Sequence, residues 1–141
     1  MPKVEKSALV PVSAEKVFNV VNDVESYPSF VDGCSAARII ESSEVEMTAK
    51  LQISKAGYVN EFTTRNELVK GECIKLTLVD GPFDYLVGEW RFQSLDEHAC
   101  RVNFTLDFKF KNKLMGMALN GIFKNLAESM MSAFIEQAKK A

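Results

Sequence analysis

Hydrophobic and polar positions change period along the chain, and the changes divide it into elements. Residues 3–10 alternate loosely and stop at Pro11, the pattern of a first strand. Ser13 stands where a helix N-cap belongs. It is followed by Glu15 and by Val17, Phe18, Val20 and Val21 at helical spacing, up to about Asn22-Asp23. Tyr27-Pro28 then marks a turn or a second short helix. From about residue 35 to 110 the period is two. Val45, Met47, Ala49, Leu51 and Ile53 alternate with polar neighbours, as do Ile74, Leu76 and Leu78. The cleanest run is Cys100, Val102, Phe104, Leu106, Phe108 and Phe110. Ala56-Gly57, Lys70-Gly71, Asp80-Gly81-Pro82 and Asp96-Glu97-His98 are the turns between strands.

After Asn112, a candidate cap, the period returns to 3.6. Met115, Leu119, Ile122, Phe123, Leu126, Met130 and Phe134 share one face, while Lys113, Asn120, Lys124, Glu128, Ser132, Glu136 and Lys139 fall mainly on the other. The stretch predicts a helix of about 28 residues, roughly 40 Å long at 1.5 Å per residue. The fold class is therefore α+β. One curved antiparallel sheet of about six to seven strands wraps a long C-terminal helix, with two short helices after the first strand. Residues 1–141 read as one domain.

Composition narrows the function. Seventeen basic against nineteen acidic residues give a formal charge of −2, which argues against a surface built to trap DNA. Three widely spaced cysteines, Cys34, Cys73 and Cys100, fit buried reduced thiols better than a disulfide framework or a zinc site. The first residues, Met1-Pro2-Lys3-Val4-Glu5-Lys6, have no apolar signal region, and the longest uncharged apolar stretch lies between Lys113 and Lys124. A bilayer span needs roughly twenty residues. A cytoplasmic protein is expected, with transient contact at the inner membrane surface left open.

A curved sheet around one helix leaves a space that is either packed core or cavity. The inward face of the strand at 58–68 is read as Tyr58, Asn60, Phe62, Thr64, Asn66 and Leu68. A dry core leaves such amides unpaired at about 1–3 kcal/mol each, whereas a cavity holding water or a polar head group satisfies them. Met115, Met117, Met130 and Met131 suit either plain packing or an adaptable apolar wall. Trp90 is open to the same two readings. Gly116 and Gly121 in the long helix mark a close backbone approach, a kink, a mobile entrance or local fraying.

Bond-making chemistry is poorly represented. The single histidine, His98, falls in a turn, so a His-based metal site or a Cys–His pair lacks its parts. No nucleophile elbow, P-loop or dinucleotide glycine fingerprint occurs. Asp80 and Asp84 flank Gly81-Pro82 as turn residues rather than an acid–base pair. A binding protein without a cofactor is the expectation.

Several segments together carry a family resemblance: Asn22-Asp23-Val24-Glu25-Ser26-Tyr27-Pro28, Ser54-Lys55-Ala56-Gly57, Phe62-Thr63-Thr64-Arg65-Asn66, Leu78-Val79-Asp80-Gly81-Pro82-Phe83 and Asp107-Phe108-Lys109-Phe110-Lys111-Asn112-Lys113-Leu114. The chain resembles the coenzyme-Q-binding branch of the START-like, polyketide-cyclase-like superfamily from about residue 3 to 138. The resemblance implies a helix-grip fold with a deep apolar cavity between sheet and long helix. It implies binding of ubiquinone or another polyisoprenoid, in support of respiration, as a lipid chaperone. For bacterial relatives it implies instead binding to the large ribosomal subunit and a block of subunit joining.

On the first implication, the walls are Phe62, Trp90, Phe104, Leu106, Phe108, Met117, Phe123 and Met130. Asn60, Thr64 and Asn66 bond the quinone oxygens, and Tyr27, Phe30 and Val31 form a lid. A cavity of about 300–1,000 Å³ would hold the head and a few isoprene units. On the second, Lys109, Lys111, Lys113, Lys124, Lys139 and Lys140 supply the basic face.

Overall fold

The computed structural model describes residues 3–55 and 57–140; Met1, Pro2, Ala56 and Ala141 lie outside the described residues. The turn expected at Ala56-Gly57 is therefore seen only at Gly57. The strands are β1 (Lys3–Val10), β2 (Cys34–Ser42), β3 (Glu46–Lys55), β4 (Tyr58–Val69), β5 (Cys73–Asp80), β6 (Phe83–Asp96) and β7 (Ala99–Phe110). The helices are α1 (Ala14–Asn22), a 3₁₀ helix at Val24–Ser29, and α2 (Lys113–Lys140). All seven strands form one antiparallel sheet in the order β1-β7-β6-β5-β4-β3-β2. The two short helices thus carry the chain from one edge of the sheet to the other. The hairpins then fill the space between, and α2 returns along the inner face. The layout is the one the alternation predicts, and it is the helix-grip fold that the resemblance implies.

Local chemistry fixes the element ends. The Ser13 Oγ accepts from the Lys16 N–H at 3.3 Å and caps α1. The Asn112 Oδ1 accepts from the Met115 N–H at 3.1 Å and caps α2, whose 28 residues match the predicted length. At the far end of α1 the buried Tyr27 hydroxyl donates to the Val21 carbonyl, an acceptor that the helix end leaves without an intrahelical partner. Edge strand β2 is irregular, with register shifts between Cys34 and Ala36 and between Ile39 and Glu41. The Glu25 carboxylate accepts from its Ile39 N–H at 3.1 Å. Bulges and a covered amide both discourage pairing with another chain.

The core lies between the inner sheet face and α2. On β7 Cys100, Val102, Phe104, Leu106, Phe108 and Phe110 are all buried while their neighbours face outward. Burying each large side chain contributes about 1.5–3 kcal/mol. On α2 the buried face is Gly116, Phe123, Leu126, Ala127, Met131, Phe134 and Ala138. Two aromatic groups divide this core. Phe134 meets Tyr27, Phe30 and Trp90 at ring distances of 5.0, 5.9 and 5.3 Å. Phe123 meets Phe83 and Phe108 at 5.2 and 4.7 Å.

Candidate functional site

Between these two aromatic groups the interior is not filled. A cavity with about 70 Å³ of room for the centres of water molecules lies beneath α2. Its walls come from Ala49, Leu51 and Ile53 of β3, Phe62, Thr64 and Asn66 of β4, and Ile74 and Leu76 of β5. Leu86, Trp90, Phe104 and Leu106 of β6 and β7 complete the sheet side. Phe123, Leu126, Ala127 and Met130 form the roof, and Val21, Val24 and Tyr27 close one end. Leu51, Phe62, Leu76 and Met130 are only half-buried, which places the thin part of the wall among them.

Two glycines shape the rim. Gly33 has φ +92°, and a Cβ there would stand 2.6 Å from Leu126 Cδ1, so only glycine lets this loop close on the roof. A Cβ on Gly81 would stand 2.7 Å from the Phe62 Cβ, so the β5–β6 turn presses on the opposite rim in the same way.

The polar content of the wall is concentrated. Thr64 and Asn66 are 6% and 5% exposed, and the Thr64 hydroxyl donates to the Asn66 Oδ1 at 2.8 Å. The Asn66 amide N–H groups make no hydrogen bond among the described residues, and they remain available to an acceptor in the cavity. Tyr27 is the sole titratable residue of the described lining, and its hydroxyl is committed to Val21. Burial, then the neighbouring Cys34 and Asp23, pushes its phenol above the ordinary range, so it stays protonated. The site can hold an apolar body and hydrogen-bond one polar end.

Comparison with known proteins bears on this geometry. The family model described as "Polyketide cyclase / dehydrase and lipid transport" matches residues 10–135. The chain belongs to this START-like family. It is 49% identical over 140 residues to the ribosome association toxin RatA of Escherichia coli K12, covering 99% of this chain and 89% of that one. It is 24% identical over 137 residues to the coenzyme Q-binding protein COQ10 homolog B of Xenopus laevis, covering 94% of this chain and 56% of that one. The crystal structure of the Zhui aromatase/cyclase from Streptomyces sp. R1128 superimposes with a TM-score of 0.86 at 21% identity, covering 98% and 93% of the two chains; this likeness concerns the fold alone.

Within the START-like frame, nine of the residues named from the sequence do line the cavity: Tyr27, Phe62, Thr64, Asn66, Trp90, Phe104, Leu106, Phe123 and Met130. Five do not. Met117 is 76% exposed, because the buried stripe of α2 runs through Gly116 and Phe123 and turns position 117 outward. Phe108 is fully buried but belongs to the Phe83–Phe110–Phe123 group beside the cavity. Asn60 sits toward the β3–β4 turn, where its Oδ1 accepts from the Glu61 N–H at 2.7 Å. Phe30 and Val31 pack against the core behind Tyr27 rather than on the lining. The expected volume of about 300–1,000 Å³ is also corrected, to about 70 Å³.

Residues missed from the sequence include Ala49, Leu51 and Ile53, whose alternation was legible, and Leu126 and Ala127, one turn from Phe123 and Met130. Val21 and Val24 gave no local signal, because they reach the cavity only through the crossing of α1 and the 3₁₀ helix. Elsewhere, burial raises the thiol pKa of Cys34, Cys73 and Cys100, with Glu89 adding to the effect at Cys73. Raised thiols are poor nucleophiles. Among the described residues no helix is long and apolar enough to cross a membrane, and no group of His, Cys, Asp and Glu is placed to hold a metal ion.

Proposed function

We propose that this chain is a single non-enzymatic lipid-binding domain of the cytoplasm. In this reading it carries ubiquinone or another polyisoprenoid and supports respiration as a lipid chaperone. The observation that carries the reading is the cavity under α2, mostly apolar in its lining and carrying the buried Thr64–Asn66 pair. A quinone carbonyl is an acceptor, and the Asn66 amide offers the matching donor. The described lining has no carboxylate, imidazole, amine or thiol for acid–base or nucleophilic work, which favours binding over turnover.

At about 70 Å³ the cavity is less than half the roughly 150 Å³ of an apolar cavity that admits a benzene ring, so a quinone ring does not fit without movement. Loading therefore parts the roof from the rim at Met130, Leu51 and Phe62. Met130 is suited to this, since a thioether side chain repacks at low cost. Each isoprene unit buried contributes roughly 3–4 kcal/mol at ~0.8 kcal/mol per CH₂, which offsets the opening. The likeness to a coenzyme Q-binding protein supports the same ligand class. Native mass spectrometry and lipid extraction of the purified protein test it, together with uptake from ubiquinone-loaded vesicles. An apolar passenger supports the reading; no co-purifying lipid and no uptake removes it.

A second reading is favoured by the 49% identity to a ribosome association toxin over almost the whole chain. In it the protein binds the large ribosomal subunit and blocks subunit joining through its exposed lysines. Overexpression followed by sucrose-gradient profiling tests it. A rise of free subunits at the expense of 70S particles supports it, and an unchanged 70S peak rejects it.

A further inference from the structure

The N-terminal half of α2 carries apolar residues on its outer face as well as on its buried one. Leu114 and Met117 are each 76% exposed, and as i and i+3 positions they are neighbours on the outer face of the helix. Half-buried Ile122 lies further along the same half. The charge along this stretch of the chain is one-sided. Residues 108–127 hold Lys109, Lys111, Lys113 and Lys124 and no acidic residue, in a chain whose net charge is −2. Lys109 is 3.8 Å from Asp84, while Lys111, Lys113 and Lys124 form no salt bridge among the described residues. Lys113, Met117 and Lys124 fall on one line of the helix, with Leu114 beside it. The same helix roofs the cavity from Phe123 onward, about 14 Å further along its axis at 1.5 Å per residue.

We infer that this face docks on an anionic lipid bilayer, with Leu114 and Met117 dipping into the headgroup boundary and Lys111, Lys113 and Lys124 meeting lipid phosphates. Exposed apolar side chains rimmed by lysines match that surface in both respects. A second copy of the chain is a poor occupant, because pairing this face with itself opposes lysine to lysine. A nucleic acid engages the lysines through phosphate but has no use for Leu114 and Met117. Docking goes beyond the carrier reading and does not require a filled cavity. It places the cavity roof at the surface from which an isoprenoid would enter.

The test is flotation of the full chain with phosphatidylcholine vesicles and with vesicles that also contain phosphatidylglycerol. The wild-type protein binds the anionic vesicles preferentially, and added salt weakens the binding. Lys111→Gln, Lys113→Gln and Lys124→Gln together weaken it about 100-fold, at about fivefold per lysine. Leu114→Asp with Met117→Asp weakens it at least about tenfold while unfolding at the wild-type temperature, since both side chains are exposed. Equal binding of the two vesicle types by the wild-type protein, or unchanged binding by either variant, overturns the inference. So does no vesicle binding combined with ribosome binding that needs the lysines but not Leu114 and Met117. Vesicle binding with no co-purifying lipid and no ubiquinone uptake upholds docking while removing the carrier reading, so the two fail separately.

Discussion

Replacing Thr64 by Val and Asn66 by Leu, singly and together, separates what the buried polar pair does for stability from what it does for a ligand. The two side chains are 6% and 5% exposed and share one hydrogen bond of 2.8 Å. Thr64→Val removes the donor and leaves the Asn66 oxygen unpaired at a buried site, which costs about 1–3 kcal/mol. At about 4 °C per kcal/mol for a chain of this size, the midpoint falls by roughly 4–12 °C. Asn66→Leu strands the Thr64 hydroxyl and falls in the same range. The double variant replaces both partners with apolar groups of similar volume, so its stability returns to within about 1 kcal/mol of wild type. Ligand binding follows the opposite course. The double variant keeps the apolar walls but loses the Asn66 donors, and its affinity for a quinone falls about tenfold relative to a plain isoprenoid hydrocarbon. Thermal unfolding reads the first quantity, and vesicle-to-protein transfer of the two lipids, followed by mass spectrometry, reads the second. A double variant that binds quinone as tightly as wild type would refute the reasoning. So would one whose stability loss is the sum of the single losses.

Other consequences follow from the same geometry. Phe123→Ala removes a ring, 7% exposed, that touches four other aromatic rings. It should cost about 3–5 kcal/mol, and benzene should restore part of the lost melting temperature by filling the enlarged cavity; no rescue would mean that the interior collapses instead. Gly33→Ala forces a left-handed φ of +92° on an L-residue and drives Leu126 from its place, for a loss of about 1–3 kcal/mol in chemical denaturation; a neutral result would show that the loop moves freely off the roof. The buried thiols make stability pH-dependent in a fixed direction. Their folded pKa values lie above the unfolded value, so their contribution is complete below about pH 8.5 and is lost as pH rises through the folded values. Urea midpoints that fall through the alkaline range, with thiol labelling tied to unfolding, are the expected result, whereas fast labelling of the native protein contradicts it.

Most of the scaffold was legible because its signals are local. The β7 alternation from Cys100 to Phe110 matches burial residue by residue, and the Ser13 and Asn112 caps stand where the sequence places them. The inward register of Phe62, Thr64, Asn66 and Leu68 also holds. Strand β2 was hard to delimit because its two register shifts break the period of two, and because an edge strand buries little. Met117 was misplaced because hydrophobicity alone does not fix the phase of a helix whose outer face is also apolar. The cavity volume was overestimated for a different reason. Periodicity says which residues face inward, but not how closely their side chains pack once there. The contribution of Val21 and Val24 depends on a crossing between distant segments that no local window contains.

Trp90 is the single tryptophan of the chain, and it lines the cavity while stacking on Phe104 at 4.1 Å. Titration with a short-chain ubiquinone, read by tryptophan fluorescence, therefore asks directly whether an amphiphile enters beneath α2. Saturable quenching at one quinone per chain, weakened by the Thr64→Val and Asn66→Leu double variant, is the predicted result. Quenching that only grows in proportion to free quinone, alike in wild type and variant, would contradict the account.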